Sequence, residues 1–344
     1  MRRLNFIICG LLAVSLMPGA AFAEQQKQRP VAVKKAQHKK AIHKKKVAAA
    51  NPKRIISTLR SDKQYSARKV AFHPNGGDDS VFVTPGGELR LASSKALIVN
   101  QNTGETLYAK STDTPTPIAS VTKLMTAMVM LDQQLPMDEV LTIGEGDVDM
   151  LKGTSSRLRV GTQLSRRDLL QLALMSSENR AAFALARTSP IGVSNFVAAM
   201  NAKATALGMT HSHFVDPTGL NSENVSTAED LVKMVKAAYQ YPEIRTVTTT
   251  PEYSVAVNGY RQPLEFRNTN ILVRNGTWDI GLSKTGYINE AGRCLVMQAK
   301  IADQPLIIVL LDSWGKFTRI GDAQRIRKWM ESSNTKQRVA GSVS

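Results

Sequence analysis

From Pro117 to Leu131 the chain reads Pro-Ile-Ala-Ser-Val-Thr-Lys-Leu-Met-Thr-Ala-Met-Val-Met-Leu, and after the proline only Ser120, Thr122, Lys123 and Thr126 are polar. Helix formers dominate and no polar face separates from an apolar one, the pattern of a helix enclosed in the middle of a domain. The rest of the chain must therefore pack around it. Ser120 and Lys123 stand at its first turn, three residues apart and so on one face. A serine hydroxyl is a weak nucleophile until an adjacent base takes its proton. A lysine whose pKa is lowered by burial or by a neighbouring positive charge can be that base. Ser-x-x-Lys also occurs at Ser66/Lys69, Ser313/Lys316 and Ser333/Lys336. Only the copy at Ser120 opens a buried helix, where an unpaired ammonium is costly.

The first residues read as an export signal rather than as part of that domain. Arg2 and Arg3 precede an apolar run from Phe6 to Met17, and Ala21-Phe-Ala23 supplies a small-residue cleavage site. The run is shorter than the roughly 20 residues a membrane span requires. The expected mature protein is exported and soluble, in a bacterial periplasm. Cys9 leaves with the leader and Cys294 remains alone in the apolar run Cys294-Leu-Val-Met297, a core residue rather than a nucleophile.

Charge is concentrated next to the leader. The net charge is +17; residues 24–54 hold eleven Lys or Arg against one acid, a surplus of +10, and Arg2 and Arg3 add +2, leaving +5 for residues 55–344. Residues 24–80 have little apolar periodicity and read as a disordered basic tail. Behind an export signal the anionic partners at hand are envelope polymers and lipid headgroups rather than nucleic acid. A solvated spacer without a specific partner is the alternative. The catalytic domain is expected over 81–332, with a short tail at 333–344.

Within that domain, Ala96–Asn100 and Thr106–Ala109 flank Asn102-Thr-Gly104 and read as a hairpin. Ser165-Arg-Arg-Asp168 starts a capped helix that breaks at Ser176-Ser-Glu-Asn179 and resumes to Arg187. Further helices are expected over Val193–Leu207, ended by Gly208, and over Ala228–Tyr241, stopped by Pro242. Strands follow at Trp278–Lys284, Arg293–Lys300 and Leu306–Asp312, with a closing helix near Arg319–Met330. The fold class is mixed α/β: a five-stranded antiparallel sheet covered by the helices of the middle section.

Two more short motifs follow the serine–lysine pair. Ser177-Glu-Asn179 sits at a helix break, where both side chains can face a cleft. Lys284-Thr-Gly286 occurs once, at a strand end, where the glycine admits the close approach of a ligand backbone. In that order the three motifs form the signature of the penicillin-recognising serine acyltransferases. Their surroundings, with Pro217-Thr-Gly-Leu220, Ser226-Thr-Ala-Glu-Asp-Leu231 and Phe266-Arg-Asn-Thr-Asn270, resemble the D-alanyl-D-alanine carboxypeptidase family, most closely its periplasmic endopeptidase branch. The resemblance spans roughly residues 90–330 and leaves out the basic tail.

The resemblance implies Ser120 as nucleophile and Lys123 as its base, with Ser177 relaying protons to the leaving amine. It implies that Asn179 holds the substrate amide, that Lys284 and Thr285 grip a free carboxylate beside Gly286, and that the backbone N–H of Tyr287 joins that of Ser120 in an oxyanion hole. Lys284 is also expected to lower the Lys123 pKa by like-charge repulsion. Peptidoglycan stem peptides become the substrates and β-lactam antibiotics covalent inhibitors, with no cofactor and no metal. The expected reaction is endopeptidic cleavage of D-alanyl-diaminopimelate crosslinks, with carboxypeptidase trimming of pentapeptide stems as the alternative. Family members anchored to the inner membrane carry a second domain and a C-terminal helix; the 58 residues after Gly286 suffice only to finish the sheet and one helix.

Other readings have less support. A β-lactamase would carry a deacylating glutamate where this chain has Asp216-Pro-Thr-Gly-Leu-Asn221. His211, His213 and Asp216 resemble a metal cluster that lacks a third histidine. A wall-binding protein without catalysis would not need all three motifs.

Overall fold

A computed structural model describes residues 88–341. The leader expected at 1–23, the basic tail at 24–80 and the first residues of the domain, 81–87, lie outside the described residues. The hairpin of β1 (Lys95–Asn100) and β2 (Thr106–Lys110) turns through Gly104 at φ +75°. Next, β3 (Thr116–Pro117) leads through a 3-10 turn at Ala119–Thr122 into α1 (Lys123–Asp132). The short pair β4 (Val140–Thr142) and β5 (Gln163–Ser165) precedes α2 (Arg166–Met175), α3 (Asn179–Arg187) and α4 (Gly192–Ala206). Ser165 caps α2 as expected, accepting from the Asp168 amide at 3.0 Å while its hydroxyl donates to the Asp168 carboxylate at 2.7 Å.

After β6 (Val225–Ser226) comes α5 (Ala228–Ala238), and then the first departure from expectation. Pro242 does not follow a longer α5; it opens a separate helix, α6 (Pro242–Thr249). Proline at the first helical position loses no intrahelical hydrogen bond and has the right φ. A hairpin of β7 (Glu252–Val255) and β8 (Leu264–Arg267) and a single turn, α7 (Ile271–Arg274), complete the middle section.

The last third is β9 (Asp279–Ile288), β10 (Gly292–Ile301), β11 (Gln304–Ser313) and α8 (Thr318–Gly341), the helix running past Met330 into the segment expected as a tail. These strands join the first hairpin in one five-stranded sheet, ordered β2-β1-β11-β10-β9 and antiparallel throughout. Successive side chains alternate between faces. Leu97, Val99, Leu282, Val296, Ile307 and Val309 join a core with α1 to α6, whereas Ile98, Leu295, Met297, Ile308 and Leu310 meet Ala323, Ile326 and Met330 of α8. Helices on both faces explain why β11 is apolar without interruption from Leu306 to Leu311. The helix α1 lies inside, packed against α2, α3, α4 and α5, with every residue from Lys123 to Met130 buried.

Candidate active site

Thr122, Lys123 and Thr126 all bond to the segment 217–224. Thr126 Oγ1 donates to Pro217 O at 2.7 Å, Lys123 Nζ donates to Thr218 O at 2.7 Å, and Thr122 Oγ1 accepts from Asn224 Nδ2 at 3.3 Å. Asp216 shapes that loop: Oδ1 accepts from the Thr218 amide and hydroxyl, both at 2.5 Å, and from the Gly219 amide at 2.8 Å, while Oδ2 accepts from the Asn221 amide at 2.9 Å. Both Asp216 oxygens are engaged within this loop. His211 gives its amide to Asp230 and His213 bridges to Val225 through backbone; among the described residues no three acidic, histidine or cysteine side chains are grouped to hold a metal.

The turn that carries Ser120 is wedged between two glycines. Ala119 has φ +48°, a left-handed conformation that costs a non-glycine residue about 1–2 kcal/mol. On one side a Cβ at Gly219 would stand 1.9 Å from Ala119 O; on the other a Cβ at Gly286 would stand 2.8 Å from Ile118 O and 3.1 Å from Ser120 N. The room at Gly286 is therefore taken by the chain's own Ser120 segment, not reserved for a ligand backbone as expected from the sequence. Lys284-Thr-Gly286 also lies within β9 rather than at its end. As the outermost strand, β9 turns its unpaired edge toward the Ser120 turn.

Lys123 is 1 % exposed, and its Nζ meets Ser120 Oγ at 2.8 Å, Asn179 Oδ1 at 2.7 Å and Thr218 O at 2.7 Å. The amide orientation of Asn179 follows from its other contacts. Thr154 Oγ1 donates to Asp149 at 2.7 Å, so it must accept from Asn179 Nδ2, at 3.0 Å, leaving Oδ1 for the lysine. Asn179 Oδ1 and Thr218 O can only accept. A neutral Lys123 spends its two N–H bonds on them, and its lone pair is left for the Ser120 hydroxyl. Burial lowers the Lys123 pKa to about 7, against the opposing carboxylates of Asp216 and Glu178. Burial is the leading cause at Lys123, ahead of the expected repulsion by Lys284. That repulsion is mutual, and Lys284 is held well below the ordinary range by burial first, and then by the charges of Lys123 and Arg319.

Ser177, between α2 and α3, has φ +63° and accepts from Lys284 Nζ at 3.0 Å. Thr285 Oγ1 donates to Thr269 Oγ1 at 2.6 Å, and the Thr269 amide is tied to Met175 O at 3.0 Å. A crevice of about 280 Å³ is lined by Ser120, Ser177, Asn179, Thr285, Gly286 and Tyr287 of the expected set, with Lys123 and Lys284 buried beneath it. The Tyr287 ring is exposed, its hydroxyl donating to Asn289 Oδ1 at 2.8 Å.

Thr269 and Arg319 also line the crevice, and neither was singled out from the sequence. Thr269 lay within the quoted Phe266–Asn270 motif. Arg319 carried no signal, because it opens α8 on the far side of the sheet. Only 9 % exposed, it has two buried donors, Nε and Nη1, without an acceptor among the described residues. Burial, then the charge of Arg293, lowers its pKa to about 10. Glu178 was also missed: it is largely buried, accepts from Ser156 Oγ at 2.6 Å, and burial raises its pKa. The Cys294 thiol is fully buried, with its pKa pushed up to about 11, and takes no part.

A serine hydroxyl seated on a buried lysine, with a second buried amine across the crevice, defines a serine acyl-transfer hydrolase. The family model described as D-alanyl-D-alanine carboxypeptidase, peptidase S11, matches residues 83–315, and the chain belongs to that family. It is 54 % identical over 242 residues to the D-alanyl-D-alanine endopeptidase of Pseudomonas aeruginosa, covering 70 % of this chain and 78 % of that one. To the D-alanyl-D-alanine endopeptidase of Escherichia coli strain K12 it is 45 % identical over 275 residues, 80 % of this chain and 89 % of that one. The crystal structure of the Streptomyces K15 DD-transpeptidase superposes with a TM-score of 0.66 at 32 % identity, over 71 % of this chain and 99 % of that one.

Proposed function

We propose that this chain is a periplasmic peptidoglycan DD-endopeptidase that opens D-alanyl-diaminopimelate crosslinks through an acyl-enzyme on Ser120. One observation carries the chemistry: two obligate acceptors consume the N–H bonds of neutral Lys123 and leave its lone pair for Ser120 Oγ, 2.8 Å away. In acylation Ser120 Oγ attacks the D-alanyl carbonyl carbon as Lys123 Nζ takes the hydroxyl proton. The backbone amides of Ser120 and Tyr287 receive the oxyanion. The carbon–nitrogen bond then breaks, and Ser177, beside Lys284, passes the proton to the departing amine. Water attacks the ester with Lys123 again as base, releasing the carboxylate and restoring the serine.

Lys284, Thr285 and the two orphaned donors of Arg319 supply the site for a carboxylate next to the scissile bond. The D-centre of diaminopimelate carries the same carboxylate as a terminal D-alanine, so these donors serve either leaving group. Carboxypeptidase action on pentapeptide stems is therefore the second reading. The export segment at 1–23 and the basic tail at 24–80, with anionic envelope polymers as its partners, belong to the proposal. Among the described residues no helix is long and apolar enough to cross a membrane. Purified chain incubated with crosslinked dimers and with monomeric pentapeptides decides the substrate. Conversion of dimers to monomers is expected; release of free D-alanine alone would transfer the assignment to the carboxypeptidase.

A further inference from the structure

The sheet end beside the crevice exposes an unusual run of aromatic surface. Trp314 is 88 % exposed, Tyr287 50 % and Phe317 46 %. Strand register brings them to one edge. Tyr287 pairs with Arg293 across β9 and β10, Arg293 pairs with Ser313 across β10 and β11, and Trp314 is the next residue. Two strand spacings put the backbone at Trp314 roughly 10 Å from that at Tyr287. Phe317 lies in the turn that follows, closed by hydrogen bonds between Gly315 and Thr318 at 3.1 and 3.3 Å.

Cations accompany the rings. The Arg293 guanidinium sits 4.3 Å from the centre of the Tyr287 ring, and Lys316 Nζ 5.5 Å from that of Phe317. Among the described residues neither cation forms an ion pair with a carboxylate. The large exposed apolar side chains on this edge are all aromatic; the exposed aliphatic ones, such as Val140, Met150 and Leu151, belong to other segments. A flat ring with a negative face suits the apolar C–H face of a pyranose. Unpaired cations beside it suit carboxylates carried on the same polymer. Exposed apolar surface next to a reaction site marks a binding surface rather than chance.

We propose that Tyr287, Trp314 and Phe317, with Arg293 and Lys316, dock the glycan backbone of the wall polymer whose stem peptide occupies the crevice. This rests on the peptidoglycan reading above. An extended stem of about four residues reaches roughly 13 Å, enough to cover the roughly 10 Å from Tyr287 at the crevice to Trp314. The enzyme would thereby hold intact wall and turn one of its stems toward Ser120.

The test compares the full-length chain with a Trp314→Ala, Phe317→Ala double variant on two substrates: intact sacculi, and crosslinked peptide dimers stripped of sugar. Work at about 0.3 M salt, where the screening length is near 6 Å, suppresses attraction by the basic tail. Hydrolysis of sacculi is expected to fall about tenfold or more, with dimer turnover and β-lactam acylation changed less than about twofold. Trp314 emission should shift to shorter wavelength on titration with peptide-free glycan chains, a change absent from the variant. Equal loss on both substrates would make the patch part of the site or the fold and overturn the proposal. So would undiminished sacculus hydrolysis, including the case in which the rings instead prove to hold a protein partner. If the unaltered chain cleaved neither substrate, the peptidase reading would fall on its own; co-sedimentation of both chains with sacculi would still decide the surface.

Discussion

At the scale of single residues, the proposed mechanism depends on a lysine that cannot easily keep its proton. Burial brings Lys123 to about 7. Its neutral, base-competent form grows as pH rises through that value, so the β-lactam acylation rate should climb through neutral pH and level off above it. A rate flat from mildly acidic to alkaline pH would contradict this. Glu178 adjusts the midpoint. Its carboxylate raises the Lys123 pKa, so Glu178→Gln should move the rising limb to lower pH, and Glu178→Asp should leave it nearly in place. A midpoint shifted upward, or unmoved in Glu178→Gln, would remove Glu178 from this role. The serine–lysine pair was legible from spacing because residues three apart on a helix are bound to meet. Glu178 was not, because a glutamate between two motif residues looks the same in sequence whether it is solvated or buried.

At the scale of elements, the Ser120 turn is held by close backbone approach on both sides. Gly219→Ala would drive a Cβ to within 1.9 Å of Ala119 O at a residue whose φ is +79°. Overpacking with left-handed strain should cost about 2–4 kcal/mol. It should lower the melting temperature and slow acylation together; a variant with native acylation would show that the turn does not need this seat. Ser165→Ala, which removes only the α2 cap, should cost about 1 kcal/mol in stability and leave acylation unchanged. A loss of acylation there would mean that α2 transmits its cap to Ser177. The sheet and the principal helices were legible because apolar periodicity and caps are local signals. The helix at Pro242 was misread because proline ends one helix and starts another with equal ease. The true extent of β9 was hidden because glycine in a strand reads as a break, whereas here it is the space into which Ser120 fits.

At the scale of the whole molecule, folding brings together segments near 120, 177, 218, 284 and 319, and no local pattern could reveal the last of these. Arg319 reaches the crevice from the helix on the opposite face, a placement settled only when the sheet closes. The five-stranded sheet and the helices on both its faces are built from residues after Val81, so a chain beginning at Val81 should acylate with β-lactams at the full-length rate. The same chain should lose the salt-sensitive part of binding to sacculi; slower acylation would tie the tail to the catalytic domain. The most direct measurement is peptide mapping by mass spectrometry after exposure to benzylpenicillin. It should find one adduct, on the peptide containing Ser120, and none in Ser120→Ala, whose hydrolytic rate should drop on the order of 10⁶-fold. An adduct on any other side chain, or a Ser120→Ala protein that still labels, would contradict the account.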